Sequence, residues 1–169
     1  MANLIDITFF VGEINIPNTS KPEIAESLEL FIAKYEPEFI RKLFGNEMYA
    51  SYLNAPTDPR FTEIINGKDN WRGLVYPISD SVDGSPIANY IYTMWLKDKH
   101  VWNSGVGTVR SKGDGTEVMP ISFKMTEMWN QMSRQIVEFQ TFMSDKSEIY
   151  PDYSPYDIWE FRRINEFDI

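Results

Sequence analysis

Glycines crowd one passage of this chain. "NSGVGTVRSKGDGTEVMP", Asn103 to Pro120, carries Gly105, Gly107, Gly113 and Gly115, four of the nine glycines in the protein. Glycine clusters of this kind can wrap phosphates, because backbone N–H groups approach an anion closely where no Cβ intervenes. "GVGTVR" begins like a dinucleotide fingerprint, but Arg110 stands where the third glycine belongs. The passage also follows a helical pattern, whereas that fingerprint follows a strand and opens a helix. No GxxxxGK[ST] occurs, which removes the P-loop reading. "SKGDGTE" lacks the alternating acidic ligands and the bidentate Glu of a calcium loop. The remaining reading is a hairpin, since "KGDGTE" supplies residues able to adopt positive φ.

Other chemistry-bearing residues are sparse or scattered. His100 is the one histidine, near the end of a helical pattern where a cation suits the helix dipole. With no second His and no Cys, zinc ligation and a Ser-His triad have no support. Acidic pairs are frequent: Glu36 and Glu38 around Pro37, Asp80 and Asp83, Asp145 and Glu148, Asp152 and Asp157. Paired carboxylates can hydrolyse glycosides. None of these pairs lies in an apolar run that would raise a pKa, so a solvated acidic surface is the expectation. No catalytic residue, cofactor or metal site is assigned, and the chain is not expected to be an enzyme.

The elements that hold these residues follow from apolar spacing. Residues 4–16 are apolar and β-branched, punctuated by Gly12 and Pro17, and suggest an extended arm or strand. Ser20 and Glu23 form a capping box with Pro22 in the first turn. Ile24, Leu28, Phe31, Ile32 and Tyr35 then share a helix face, and Pro37 should kink or break it. Phe39, Ile40, Leu43 and Phe44 continue to a stop at Gly45. Residues 46–53 form a short helix. Asp58 caps another, with Pro59 in its first turn and Gly67 at its end. Residues 67–84 are turn-rich, anchored by Trp71 and Tyr76. Ser85 and Pro86 open a strong helix with Ile87, Tyr90, Ile91, Met94 and Trp95 on one face. After Pro120, Ile121, Met125, Met128, Trp129, Met132, Ile136, Phe139 and Met143 form a stripe wide enough for core packing.

The fold class expected is mainly α: a helical bundle with an extended N-terminal arm and a glycine-rich hairpin loop between two long helices. Residues 1–149 form a single helical domain that includes the arm (1–19). Residues 150–169 form an aromatic, acidic C-terminal segment that docks on the body or on a neighbour. The chain has 169 residues, enough for one core. No apolar run reaches the ~20 residues of a membrane helix. "MANLIDITFFVGEINIPN" lacks a basic n-region and does not read as a signal peptide. A formal charge of −9 disfavours broad nucleic-acid binding, because phosphates are repelled at long range.

"KYEPEFIRKLFG" (Lys34 to Gly45), "SPIANYIYTMWLKD" (Ser85 to Asp98), a glycine-containing stretch and "MTEMWNQM" (Met125 to Met132) occur in this order. The chain resembles a group of small proteins encoded in the structural gene clusters of tailed bacteriophages and prophages, chiefly of Bacteroidetes hosts. These look in turn like head–tail connector, or adaptor, subunits. The similarity covers about Ile24 to Phe139 and rests on packing and turn residues: Tyr35, Pro37, Phe39, Leu43 and Gly45; Pro86, Ile87, Asn89 and Tyr90; Trp129 and Met132. It implies a structural virion protein that assembles as a homo-oligomeric ring between portal and tail proteins and lines a DNA conduit, with transient DNA contact in the channel and no membrane. The candidate interaction residues are Arg110, Lys112, Gly105, Gly107, Gly113 and Gly115 of the loop, with Trp159 and Phe161 of the C-terminal segment. Arg110 and Lys112 suit either DNA or an acidic neighbour. The alternative is a small non-catalytic interaction protein or ligand-binding helical domain.

Overall fold

A computed structural model describes residues 3–104, 107–110, 121–155 and 158–164. The fold is mainly helical, as the periodicity predicts. Helix α1 spans Pro22–Phe44, α2 Asn46–Asn54 and α3 Pro59–Asn66. A short hairpin of β1 (Tyr76–Ser79) and β2 (Val82–Gly84) precedes α4 (Pro86–His100). Strands β3 (Val101–Ser104) and β4 (Gly107–Arg110) come next, and α5 runs Ile121–Asp145.

Helix α4 packs against both α1 and α5, so the three long helices share one core. Its face of Ile87, Ala88, Tyr90, Ile91 and Trp95 is buried, as is the α5 stripe of Met128, Met132, Ile136, Phe139 and Met143. Tyr90 sits between the two neighbours, its ring 5.4 Å from Phe39 of α1 and 6.1 Å from Trp129 of α5. The short helices close one end. Phe44 stacks with Phe61 and Phe139, each at 6.2 Å. Trp71 fixes the polar loop after α3: its indole N–H donates to the Ile64 carbonyl at 2.7 Å, and Leu74 N donates to the same oxygen.

Several helix ends match the residues that specify them. The Asp58 carboxylate accepts from Arg60 N, and Ser85 Oγ accepts from Ile87 N. Gly45 sits at φ 81° after α1, the left-handed region that favours glycine. A Cβ there would also overlap the backbone of Ser154, so glycine is needed for close approach as well.

Other expectations are corrected. Lys21, not Ser20, occupies the N-cap of α1 and makes no side-chain cap bond; Pro22 opens the helix without needing one. Pro37 does not break α1. An interior proline costs about 3 kcal/mol, but burial of Leu28 and Ile32 before it and Phe39, Ile40 and Leu43 after it holds both halves in one helix. The helix opened by Pro86 stops at His100, and Val101 and Trp102 belong to β3. Residues 4–16 make no strand. They fold through two 3-10 turns, Ile7–Phe9 and Gly12–Ile14, which bury Ile5, Phe9, Phe10, Ile14 and Ile16 in the chain's own core.

Candidate functional site

Three regions read from sequence as contact elements: the N-terminal arm, the glycine-rich passage and the C-terminal segment. Two of them are tied down by adjacent acids on α1.

Glu36 holds the N-terminal segment. Its side chain is buried, and its two oxygens accept from Leu4 N at 2.7 Å and Ile5 N at 3.1 Å. Burial pushes the carboxyl above its ordinary value, while the two N–H groups act the other way. This corrects the expectation of a solvated acid. The apolar residues that cover Glu36 lie thirty positions upstream, so local context could not reveal them.

Glu38 helps hold the C-terminal segment. Its carboxylate accepts from Lys42 at 2.8 Å and from the Tyr90 hydroxyl at 2.9 Å. Burial works to raise its pKa, but these bonds and the charges of Lys42 and Lys34 outweigh it and hold the group below the carboxylate range. Lys42 reaches on to Glu160 at 2.6 Å. Beside that pair, Phe161 lies buried, its ring 5.1 Å from Phe39, 5.9 Å from Tyr90 and 6.4 Å from Trp129. The Trp129 indole donates to the Arg162 carbonyl at 2.7 Å, and the Asn130 amide pairs with both N and O of Ile164. Further up, Tyr150 donates to the Arg60 carbonyl at 3.0 Å, Asp152 pairs with Arg60 at 3.0 Å, and the Tyr153 ring meets Phe139 edge-on. Burial, helped by the Glu63 charge, pushes the Tyr150 hydroxyl up to about 12.

Phe161 is therefore not an exposed contact residue. An aromatic ring near the chain end found a cleft among three aromatic neighbours, and burial there outcompetes exposure. Tyr150 and Phe161 are thus buried in the same core as the helices.

The glycine-rich passage differs. Val101–Ser104 and Gly107–Arg110 pair antiparallel, with Trp102 opposite Val109 and Ser104 opposite Gly107. The hairpin thus begins at Val101, eleven positions before the first residue of the expected "KGDGTE" turn. Gly107, Arg110 and Trp159 are placed by their backbone alone. Gly105, Lys112, Gly113 and Gly115 lie outside the described residues, as does the "KGDGTE" turn. Of the loop candidates the structure places Gly107 and Arg110, at the two ends of strand β4. Among the described residues, no third strand pairs with this two-stranded sheet.

Two open depressions flank the N-terminal segment. One, of about 450 Å³, lies against the β1–β2 hairpin and is lined in part by Arg72, Asn89 and Gln131. The other, of about 860 Å³, lies between the N-terminal segment and α1. Among the described residues no group of three His, Asp or Glu side chains is placed to hold a metal ion. No described helix is long and apolar enough to cross a membrane.

Comparison with protein-family models, with curated proteins and with solved structures finds no match to this chain.

Proposed function

We propose that this chain is a structural, non-enzymatic subunit of a homo-oligomeric assembly, of the head–tail connector type: a ring between portal and tail that lines a DNA conduit in the virion. The observation that carries this reading is the β3–β4 hairpin. A lone two-stranded hairpin is marginal in water and gains stability when an edge or face is covered. Here it follows directly on α4 and no third strand pairs with it among the described residues, while Ile5 and Arg162, near either end of the described chain, are hydrogen-bonded to the body. An assembly neighbour is the natural cover.

Charge and sequence resemblance support the same reading. A net charge of −9 suits a channel through which DNA slides, because few cations are offered for the counterion-releasing contacts that would hold it. The order of "KYEPEFIRKLFG", "SPIANYIYTMWLKD" and "MTEMWNQM" resembles the connector-like group. The test is particle imaging and sedimentation of the purified chain, alone and with portal and tail proteins from its gene neighbourhood. Rings or portal-bound oligomers are expected. A chain that stays monomeric at every concentration and binds no portal or tail component overturns the proposal.

A ligand-binding domain is the second reading, and the depression beside Arg72, Asn89 and Gln131 favours it, because about 450 Å³ falls in the range of small-molecule sites. A reproducible thermal shift with a small-molecule panel, lost on Asn89→Ala, would support it over assembly.

A further inference from the structure

The depression beside the β1–β2 hairpin holds amide groups that nothing in the described chain uses. Asn89 of α4 lines it and is only 6% exposed. Its Nδ2 donates to Oε1 of Gln131 on α5 at 3.1 Å. Among the described residues, no group donates to Asn89 Oδ1 and none accepts from Gln131 Nε2. Turning both amides over would make Gln131 the donor and would again leave one acceptor and one N–H unused. Neither atom is sealed in the core, since the sealed and unpartnered side-chain atoms are on Arg60, Gln135 and Tyr153; both open to the depression. A nearly buried amide is costly to leave half-paired, and a ligand that completes both bonds removes that cost.

The walls set the shape of what fits. Phe9 and Ile14, both buried, give an apolar side built by the N-terminal segment. Another wall is the Tyr76 ring. Its hydroxyl accepts from Gln135 Nε2, the Arg72 guanidinium lies 5.3 Å over it, and a Cβ at Gly84 would come within 2.6 Å of it. A ring held by those contacts is a fixed, flat surface for a planar group.

Charge narrows the class. Arg72 is the one cation among the described lining residues, and Glu138 engages its Nε and Nη2 at 3.2 and 3.4 Å. Glu13 and Asp83 line the same depression, so once that pair is neutralised the site is negative and an anion is disfavoured. A trans peptide bond points its N–H and C=O to opposite sides and cannot meet both amides at once. A primary carboxamide or a lactam, including the lactam edge of a nucleobase, carries the two on one side.

We infer that this depression binds a small neutral ligand by such an amide edge: Asn89 and Gln131 pair with its N–H and C=O, and its planar body lies against Phe9, Ile14 and Tyr76. The inference rests on the ligand-binding reading given second above and names the ligand class for that site.

NMR titration of the isotope-labelled full chain tests it, with benzamide, uracil, dimethylbenzamide and benzoate as probes. Benzamide carries a primary carboxamide on an apolar ring, and uracil carries a lactam edge. Dimethylbenzamide (methylated twice on nitrogen) keeps the carbonyl but lacks the N–H, and benzoate is an anion. Benzamide, uracil or both should shift the side-chain amide signals of Asn89 and Gln131. Whichever binds more tightly separates a carboxamide ligand from a nucleobase-like one. The two control probes should bind at least about tenfold more weakly than the better amide, because each leaves a side-chain amide unpaired. Gln131→Glu removes the N–H donor yet keeps an oxygen for Asn89 Nδ2. Gln131 is only half-buried, so the thermal midpoint should stay near the wild-type value. This variant should bind the better amide at least about tenfold more weakly. If a control probe binds as tightly as the better amide, or Gln131→Glu changes nothing, the amide-edge inference falls while the ligand-binding reading stands. If no probe binds, the inference falls. If a broader small-molecule panel then gives no Asn89-dependent thermal shift either, the ligand-binding reading falls with it.

Discussion

The chain's ends and its glycine-rich arm make an instructive contrast. All three read from sequence as segments that reach outward. Yet residues 4–16, 150–155 and 160–164 fold back onto the body, while 101–104 and 107–110 form a two-stranded hairpin. The difference is what each segment offers to a core. The N-terminal segment brings Ile5, Phe9, Phe10, Ile14 and Ile16, and the C-terminal one brings Tyr150 and Phe161, all buried. A buried side chain of this size gains about 1.5–3 kcal/mol from leaving water, which offsets the entropy of ordering a few residues around it. Residues 105–120 contain four glycines and, besides Met119, only three valines as apolar side chains, and so carry little to bury.

Removing what a tail buries is the most direct way to turn it into an arm. Phe161→Ala deletes the ring that meets Phe39, Tyr90 and Trp129. A loss of about 3 kcal/mol is expected from urea denaturation, at the low end for a buried Phe because the segment can undock locally. Hydrogen exchange should then show the amides after Tyr150 exchanging well before those of α5. An unchanged midpoint would mean that the C-terminal docking contributes little. At the other end, Glu36→Ala leaves Leu4 N and Ile5 N without acceptors. About 2 kcal/mol should be lost, with proteolysis moving into residues 3–16. If that segment stays protected, its apolar side chains alone hold it.

Acidity should separate the two ends, because their acids are shifted in opposite directions. Glu38 is held below its usual 4.5, so its stabilising effect is present above that value and fades as pH falls through the lower folded value. Glu36 is raised above 4.5, so the proton is bound more tightly by the folded chain; its favourable contribution is present below 4.5 and is lost as pH rises through the folded value. On acidification from neutral pH through the carboxylate range, the C-terminal segment should lose amide protection before the N-terminal one does. Equal loss at both ends, or loss at the N-terminal end first, would contradict this assignment of the two carboxylates.

Where the sequence was legible, a local rule decided the structure. Period-3.6 spacing gave α5 and the buried face of α4, and Asp58, Ser85 and Gly45 mark helix ends within a few residues of where they act. Expectations failed where distant residues decide. Pro37 is tolerated because core contacts on both sides of it hold the helix, and Glu36 is buried because residues 4 and 5 lie over it. The strand read over residues 4–16 failed for a related reason: its apolar residues are placed by the pockets they fill on α1 and α4, so period-2 alternation has no hold on them. The depression along α1 left only a faint trace, Leu30 among glutamates, because its lining combines residues from two segments.

The smallest effect on stability is expected in the arm, and it sharpens the contrast most. Arg110→Glu with Lys112→Glu alters charge on a segment that brings little apolar area to the body. Surface changes of this kind usually shift stability by no more than about 0.5 kcal/mol, so the urea midpoint should stay at the wild-type value. If the arm meets an acidic neighbour, self-association should nevertheless weaken at low salt, and the gap from wild type should narrow as salt is raised, because charge contacts are screened over roughly 10 Å at 0.1 M salt. The tails behave in the reverse way: Phe161→Ala shifts the midpoint while leaving the arm's charge intact. A variant pair in which stability and assembly move independently would separate a segment folded for the chain's own core from one kept free for another copy. If the arm variant instead lowered the midpoint by as much as Phe161→Ala, the arm would belong to the core like the two ends.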